Sequence, residues 1–380
     1  MTMAQDISIR SVKTKADRLA FLQLPLRLYA DDPNFVPQLF VERLDHLTNN
    51  PYFEHAEACL FLAERNGQVV GRISAQIDQL HLERYQDQTG QFGFLEAEDD
   101  PAIFKALLES ASQWLKARNI KRMQGPFSFS INEESGLLVD GFNTPPIIMM
   151  GHAKPYYAKH LEDLGLSTAK NLIAYDYDLN TPMPAAISRM ITKNKASGKL
   201  TLRPLSKKNL KRDLEIIIAI FNDAWSQNWN FVPMTQAEIN ALGQVLKLLV
   251  TENHICIAEY DGEPAAMIAT LPNINEWIAD LGGKLFPFNW AKLLYRVFFV
   301  TEKTLRVPLM GVKAEFRTNA IGAMLAFAII DEVRTYHLAR GTHRAELSWI
   351  LEDNMPMRRI LEALGGKIYK TYRVYEQAIS

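Results

Sequence analysis

The stretch Gly311-Val312-Lys313-Ala314-Glu315-Phe316-Arg317-Thr318-Asn319-Ala320-Ile321-Gly322-Ala323 joins residue types that suit an anionic ligand. An apolar, strand-like run ends at Val312, a polar turn follows, and a helical period opens with small residues. Backbone N–H groups at a helix start attract phosphate, and the helix dipole adds to the attraction. Small side chains at Ala320, Gly322 and Ala323 let a pyrophosphate approach the backbone, Arg317 adds positive charge, and Thr318 and Asn319 complete the turn. The same spacing also fits an ordinary strand-to-helix turn with no ligand.

A second group follows in Ala345-Glu346-Leu347-Ser348-Trp349. Strand alternation places Glu346 and Ser348 on one face, away from Leu347 and Trp349. Glu352 and Asp353 fall at the strand's end, where sites of α/β proteins form. Either glutamate is placed to take a proton as a general base. Glu352 and Asp353 equally suit a helix cap ahead of Met355-Pro356. The eight histidines show no pair at ligand spacing, so no metal is expected. Neither a Gly-x-Ser-x-Gly nor a Walker sequence is present.

The elements that must hold these residues are written twice along the chain. Ile7–Val12 reads like Leu200–Leu205, and Asn34-Phe35-Val36-Pro37 recurs as Asn230-Phe231-Val232-Pro233. Phe61-Leu62-Ala63-Glu64 matches Cys256-Ile257-Ala258-Glu259, and Ala117–Arg122 matches Ala339–Arg344, which sets Asn132 on Asn354. Leu161-Glu162, Lys170 and Tyr175 match Leu361-Glu362, Lys370 and Tyr375. The offset rises from 195 to 222 and falls back to 200. That places 27 extra residues in copy two between Thr270 and Leu309, and 22 in copy one between Glu133 and Tyr157. The copies span 1–178 and 199–380, joined by a linker at 179–198. Each copy mixes strands and helices around a β–α–β core, which implies an α/β (α+β layered) domain.

Composition bounds the rest. At 380 residues, and roughly 100–200 residues per domain, two or three domains are expected. The apolar share of 48% excludes a disordered or fibrous chain. Two cysteines exclude a disulfide framework and fit a reducing compartment. A net charge of −1 argues against a nucleic-acid coat, so no specific nucleic-acid partner is expected. The N-terminus lacks a signal-peptide run, and apolar stretches such as Ile216–Phe221 are far short of the roughly 20 residues of a membrane span. A cytoplasmic protein is expected.

The motifs together resemble a known family. Strand, Arg-x-x-Gly-x-Gly/Ala, helix, strand ending in Asn, helix, Gly and strand is similar to the GNAT-type N-acetyltransferase superfamily, and the resemblance implies in each copy a mixed, mainly antiparallel sheet flanked by helices. Copy two carries it in Arg317–Gly322 and Ser348–Asn354, and Gly125–Glu134 resembles a bacterial branch with two GNAT folds in tandem. The resemblance implies an acyl-CoA co-substrate and direct transfer of an acetyl or longer acyl group to an amine. It further implies that Val312 and the turn Arg317–Ala323 hold pantetheine and pyrophosphate, with Asn354 nearby and carbonyl-polarising N–H groups around Gly311 and Val312. Glu346 or Glu352 is then the base for the amine. Copy two departs from the family at Ala320, a glycine elsewhere, and at Leu361, where a tyrosine often serves as acid.

At offset 222 the acids of Leu95–Asp100 face the cofactor turn, so copy one is expected to lack a CoA site. Its insertion, bounded by Asn132, Glu133 and Tyr157, is expected to wall the acceptor side together with Ser348. Leu285–Trp290 and Leu293–Val300 are dense in large apolar groups, which suits either packing between the copies or a lipid-facing surface with peripheral membrane contact. Arg189, Lys193, Lys195, Lys199 and the lysines after them suit a solvated face or an anionic contact. Two other functions fit the same residues: a non-catalytic acyl-CoA sensor or scaffold, and a long-chain acyltransferase acting on a lipid amine such as a sphingoid base.

Overall fold

The structure, a computed structural model, describes residues 6–317 and 319–379. In chain order, copy one begins with β1 (Ser8–Ser11), α1 (Lys15–Leu28), α2 (Phe40–Asn49), β2 (Ala56–Arg65) and β3 (Gln68–Asp78). It continues through α3 (Gln79–Tyr85), β4 (Thr89–Ala97), α4 (Pro101–Lys116) and β5 (Arg122–Gly125). Short strands β6 (Phe127–Ser128), β7 (Glu134–Ser135) and β8 (Leu137–Asp140) lead to α5 (Tyr156–Asp163) and β9 (Ser167–Asp178).

Copy two follows with α6 (Ala185–Ala196), β10 (Leu200–Pro204), α7 (Leu210–Trp225), α8 (Gln236–Leu249), β11 (Ile255–Tyr260) and β12 (Glu263–Pro272). Then come α9 (Asn275–Ile278), α10 (Asn289–Phe299), β13 (Thr304–Val312), α11 (Ala314–Arg317) and α12 (Ala320–Ala339). β14 (Arg344–Leu351), α13 (Met355–Ala363) and β15 (Lys367–Ala378) close the chain. Among the described residues no helix is long and apolar enough to cross a membrane.

Two compact units form, and they do not coincide with contiguous copies. Unit 1 takes the chain up to Leu172, Trp277–Leu293 and the stretch from Lys370; unit 2 takes Ile173–Glu276 and Leu294–Tyr369. In unit 1 the order is β1-β2-β3-β4-β5, with Tyr375–Ala378 of β15 antiparallel on Gly125–Arg122 of β5. In unit 2 the order is β10-β11-β12-β13-β14, with β9 next to β14. Each copy therefore gives its last strand away. In both units the fourth and fifth strands of that order run parallel: β4 with β5, and β13 with β14.

The helices form where caps and apolar spacing agree. Asn319 caps α12, whose Met324, Leu325, Ala328, Ile329 and Val333 are buried against Ile268, Leu305 and Leu347 of the sheet. Asp100 caps α4 with Pro101 in the first turn, and Ile103, Phe104, Leu107 and Leu115 are buried. The first strand of each copy carries the same ion triad: Arg10 with Asp17 (2.6 Å) and Glu64 (2.8 Å), and Arg203 with Asp213 (2.9 Å) and Glu259 (2.7 Å).

Three expectations change. The 179–198 linker contains helix α6, whose Ile191 is buried in the unit 2 core while Arg189, Lys193 and Lys195 are exposed. Thr89 opens β4 and Thr304 opens β13, an offset of 215, so the 27 extra residues are split. Twenty precede β13, and the other seven lengthen the turn and helix after it, adding α11. Consequently Leu95, Glu96 and Ala97 are strand residues, and only Glu98, Asp99 and Asp100 stand at the copy-one turn. The inserted aromatic segment is not buried either: Ile278 and Leu281 pack on Val36 within unit 1, whereas Phe286, Phe288 and Phe299 are exposed.

Candidate functional site

β13 and β14 run parallel only as far as the pair Val307–Leu347. The next residue is Pro308, which has no N–H for a ladder. From there β13 stays on β12 to Val312, while β14 continues through Ser348 to Leu351 with no further pairing to β13. The gap is a cavity of about 630 Å³, walled wholly by unit 2. Its walls are largely apolar, with Trp225, Trp229, Met310, Trp349, Met357 and Ile360, and Arg317, Asp353 and Arg359 add charge.

The ladder decides which backbone groups face the gap. Lys313 N–H donates to Ala265 O (2.9 Å), and Gly311 is opposite Met267. Antiparallel alternation then turns the N–H and C=O of Met310 and Val312 away from β12, toward the gap. Trp225 Nε1–H already donates to the Met310 carbonyl (3.2 Å). Val312 thus presents its N–H to the cavity.

The turn after Val312 differs in one respect from its expected form. Asn319 Oδ1 accepts from Ile321 N–H (2.9 Å) and Gly322 N–H (3.2 Å), so two of the helix-start donors are already capped. The cause is the strong preference of asparagine for the N-cap. Gly322 is required by space: a Cβ there would lie 2.2 Å from the Phe316 carbonyl oxygen. Arg317 lies on the cavity wall and donates to the carbonyls of Ala224 (3.1 Å) and Asp223 (3.0 Å), closing the C-terminal turn of α7. Ala323 lines the cavity, Ala320 is exposed at the first position of α12, and Thr318 lies outside the described residues. Asn354, also on the wall, caps α13 through Met357 N–H (3.3 Å). Leu361 is buried in the wall.

Neither candidate base lines the cavity itself, and Glu346 is tied to it through Ser348. Glu346 is buried on β14; its carboxylate accepts from the Ser348 hydroxyl and from the Tyr369 hydroxyl. Ser348 lines the cavity and accepts from Arg306 Nε–H (3.1 Å). Arg306 is the register partner of Glu346. Glu352 is not part of the cavity wall; its backbone carbonyl accepts from Arg358 Nη1–H (2.7 Å). Sequence reasoning missed Arg306, Trp225 and Tyr369. The available signal was a lone arginine inside the apolar run Leu305-Arg306-Val307.

Copy one is an internal comparison at the true register. Arg306, Glu346 and Ser348 correspond to Gln91, Gln124 and Pro126, and Gln91 is the register partner of Gln124. Where copy two has Pro308, copy one has Gly93, and a Cβ there would lie 1.7 Å from the Phe127 carbonyl oxygen. The backbone after β5 thus lies against β4, and the cavity beside Phe94 and Pro126 in unit 1 is about 140 Å³.

The expected acceptor residues of copy one all lie in unit 1 and serve its packing. Glu133 accepts from Asn50 Nδ2–H (2.7 Å) and Phe129 N–H (2.5 Å) and faces His46 (3.2 Å). Burial pushes its carboxyl up, and these partners together hold it below the ordinary value. Asn132 N–H donates to Ser130 Oγ (3.1 Å). Tyr157, fully buried, donates to Glu96 Oε2 (2.6 Å), which also accepts from Tyr29 (2.7 Å). Burial raises the Glu96 carboxyl despite Arg72 nearby.

One group among the described residues has the composition of a metal site: His254, Glu302 and His337, all buried. Its donor set does not fit. Thr251 N–H donates to His254 Nδ1 (3.2 Å), and burial holds that imidazole down to about 3, so the neutral ring carries its proton on Nε2. Nε2, 3.8 Å from Glu302, thus offers a proton rather than a lone pair.

No family model matches the chain. It is 46% identical over 377 residues to the "Bacterial ceramide synthase" of Caulobacter vibrioides, covering 98% of each chain. It is 44% identical over 372 residues to "Protein YghO" of Escherichia coli, covering 98% of this chain and 95% of that one. Among solved structures, a tandem GNAT protein from the clavulanic acid biosynthesis pathway matches with a TM-score of 0.56 at 13% identity, over 99% of both chains. A GCN5-related N-acetyltransferase from Sphaerobacter thermophilus matches with a TM-score of 0.53 at 12% identity, over 98% of this chain and 96% of that one. The fold is a tandem GNAT fold.

Proposed function

The chain belongs to the acyltransferase family of the Caulobacter bacterial ceramide synthase, and on that premise we propose that it transfers a long acyl group from acyl-CoA to the amine of a sphingoid-type lipid. Family membership sets aside the non-catalytic sensor. The observation that carries the acyl-transfer reading is the cavity where β14 leaves β13, because one wall offers the Val312 N–H and the other the Ser348 hydroxyl, which donates to Glu346 behind it. Its apolar walls favour a long chain over acetyl. The acceptor class rests on the name of the relative.

In this reading the residues divide the work. Val312 N–H polarises the thioester carbonyl, as a preorganised donor does in other acyl transfers. Glu346 takes the amine proton through the Ser348 hydroxyl, while Arg306 orients Ser348 and Tyr369 orients the carboxylate. The amine nitrogen bonds to the carbonyl carbon, the carbon–sulfur bond breaks, and CoA leaves as the thiolate. Arg317, Asn319, Ala320, Gly322 and Ala323 face the pyrophosphate, with Asn354 closing the wall. With Asn319 holding two amides, Arg317 supplies the main attraction. Glu352 is kept as the alternative base. Asn132, Glu133 and Tyr157, placed in unit 1, hold that unit's fold.

The test is amide formation by the purified protein from palmitoyl-CoA and sphinganine, beside acetyl-CoA. The reading expects the long-chain donor to be preferred and Arg317→Ala to raise the KM for donor with kcat little changed. Preference for acetyl-CoA would overturn the long-chain reading and leave acyl transfer standing.

A further inference from the structure

Twelve large apolar side chains are exposed among the described residues, and eight of them fall between Phe286 and Val300. Phe288 is 80% exposed, Phe299 75% and Phe298 65%. On α10 the exposed Trp290, Leu294, Tyr295, Phe298 and Phe299 share one helical face. The face is held outward from behind: Leu285 and Leu293 pack on Val36, Ile278 and Leu281. Isolated exposed apolar residues need no explanation, but a contiguous patch of this density marks a docking surface.

We propose that the segment 285–300 seats the protein on an anionic lipid bilayer, with the aromatic side of α10 at the boundary between headgroups and acyl chains. Charge selects the occupant. Between Asp280 and Glu302 the chain has no acidic residue, while Lys284, Lys292 and Arg296 are cationic. Lys292 lies 2.6 Å from Asp280, at the edge of the segment. A second copy would bring the same cations face to face, whereas anionic headgroups complement them. Trp290 Nε1–H donates to the Pro287 carbonyl (3.1 Å), so the indole enters an apolar layer without a stranded donor. With eleven residues, α10 suits lying in the interface rather than spanning it. The inference stands on this face alone. Combined with the proposed reading, it says where a lipid amine and a long-chain donor would be met.

The test is co-sedimentation of the full chain with vesicles of phosphatidylglycerol and phosphatidylcholine in equal parts, and of phosphatidylcholine alone. Binding to the anionic vesicles is expected, weaker without phosphatidylglycerol or in high salt. The variant Phe288→Ser/Phe298→Ser/Phe299→Ser should lose about tenfold or more in affinity at an unchanged melting temperature. Conversion of a water-soluble amine and short-chain donor, measured without vesicles, should be the same in both proteins. That readout separates loss of docking from failure of the acyl-transfer reading. Equal vesicle binding by wild type and variant would overturn the proposal. So would absence of binding at both compositions, or a dimer in ultracentrifugation that the variant abolishes while wild type ignores vesicles.

Discussion

The Tyr175 hydroxyl donates to Glu362 Oε1 at 3.0 Å within unit 2. Its repeat counterpart is Tyr375, which donates to Glu162 Oε1, also at 3.0 Å, within unit 1. The two bonds are one bond written twice with the strands exchanged. Each copy's last strand completes the other copy's unit, and its tyrosine finds the glutamate of a helix it did not come with.

Removing residues 370–380 should therefore damage the unit to which the C-terminal strand does not belong by sequence. Arg122–Gly125 of β5 would lose its ladder to Tyr375–Ala378. Hydrogen exchange is expected to show loss of protection in β5 and α5 before α7 and β11. Loss confined to residues 200–369 would contradict the exchange. Tyr375→Phe alone should cost about 1 kcal/mol, the net worth of one hydrogen bond.

Much of this was legible in the residues. β1 at Ser8–Ser11 and β10 at Leu200–Pro204 fall inside the repeated segments Ile7–Val12 and Leu200–Leu205. Strand alternation also puts Glu346 and Ser348 on one face, where they bond. The strand exchange was not legible, because Lys370 and Tyr375 match Lys170 and Tyr175 whichever unit they enter. Nor is the register of the copy-one turn: a single offset hides α11 and assigns Glu96 to the turn, whereas it lies buried on β4 with its carboxylate bonded by Tyr29 and Tyr157. Asn319 reads as a ligand contact in the sequence because a cap and a phosphate contact use the same donors.

The repeated ion triads should differ in weight. Asp213 has no exposed side-chain surface, whereas Asp17 is partly exposed beside a more exposed arginine. Arg203→Ala is expected to cost about 2–3 kcal/mol by leaving a buried carboxylate short of a charged donor, and Arg10→Ala less. Burial pushes the Asp213 carboxyl up, but Arg203, the Ser206 N–H and Arg212 hold it below the ordinary value. A carboxyl lowered on folding stabilises above its unfolded pKa of about 3.9 and stops doing so as pH falls through the folded value. The stability gap between wild type and Arg203→Ala in urea should thus be full at pH 7 and shrink below about pH 4. A gap that stays constant down to pH 2 would contradict the assignment.

Two glycines make opposite predictions. At Gly93 a Cβ meets Phe127 O at 1.7 Å, and at Gly322 it meets Phe316 O at 2.2 Å. Gly93→Ala should destabilise unit 1 by about 3 kcal/mol or more, since backbone packed on backbone has no slack. Gly322→Ala acts at the start of a helix beside a short turn that can shift. It should lower donor affinity, read by calorimetry with CoA, more than it lowers the melting temperature. Intact CoA affinity in Gly322→Ala would remove the turn from the donor site.

The most direct measurement is single-turnover amide formation from palmitoyl-CoA and sphinganine by wild type, Glu346→Gln, Ser348→Ala and Glu352→Gln. With Glu346 as base working through Ser348, Glu346→Gln should lose about 10²–10⁴-fold in rate at pH 7. Ser348→Ala should lose a comparable factor and Glu352→Gln little, with donor affinity preserved in all three. Full activity in Glu346→Gln, or loss in Glu352→Gln alone, would contradict the account.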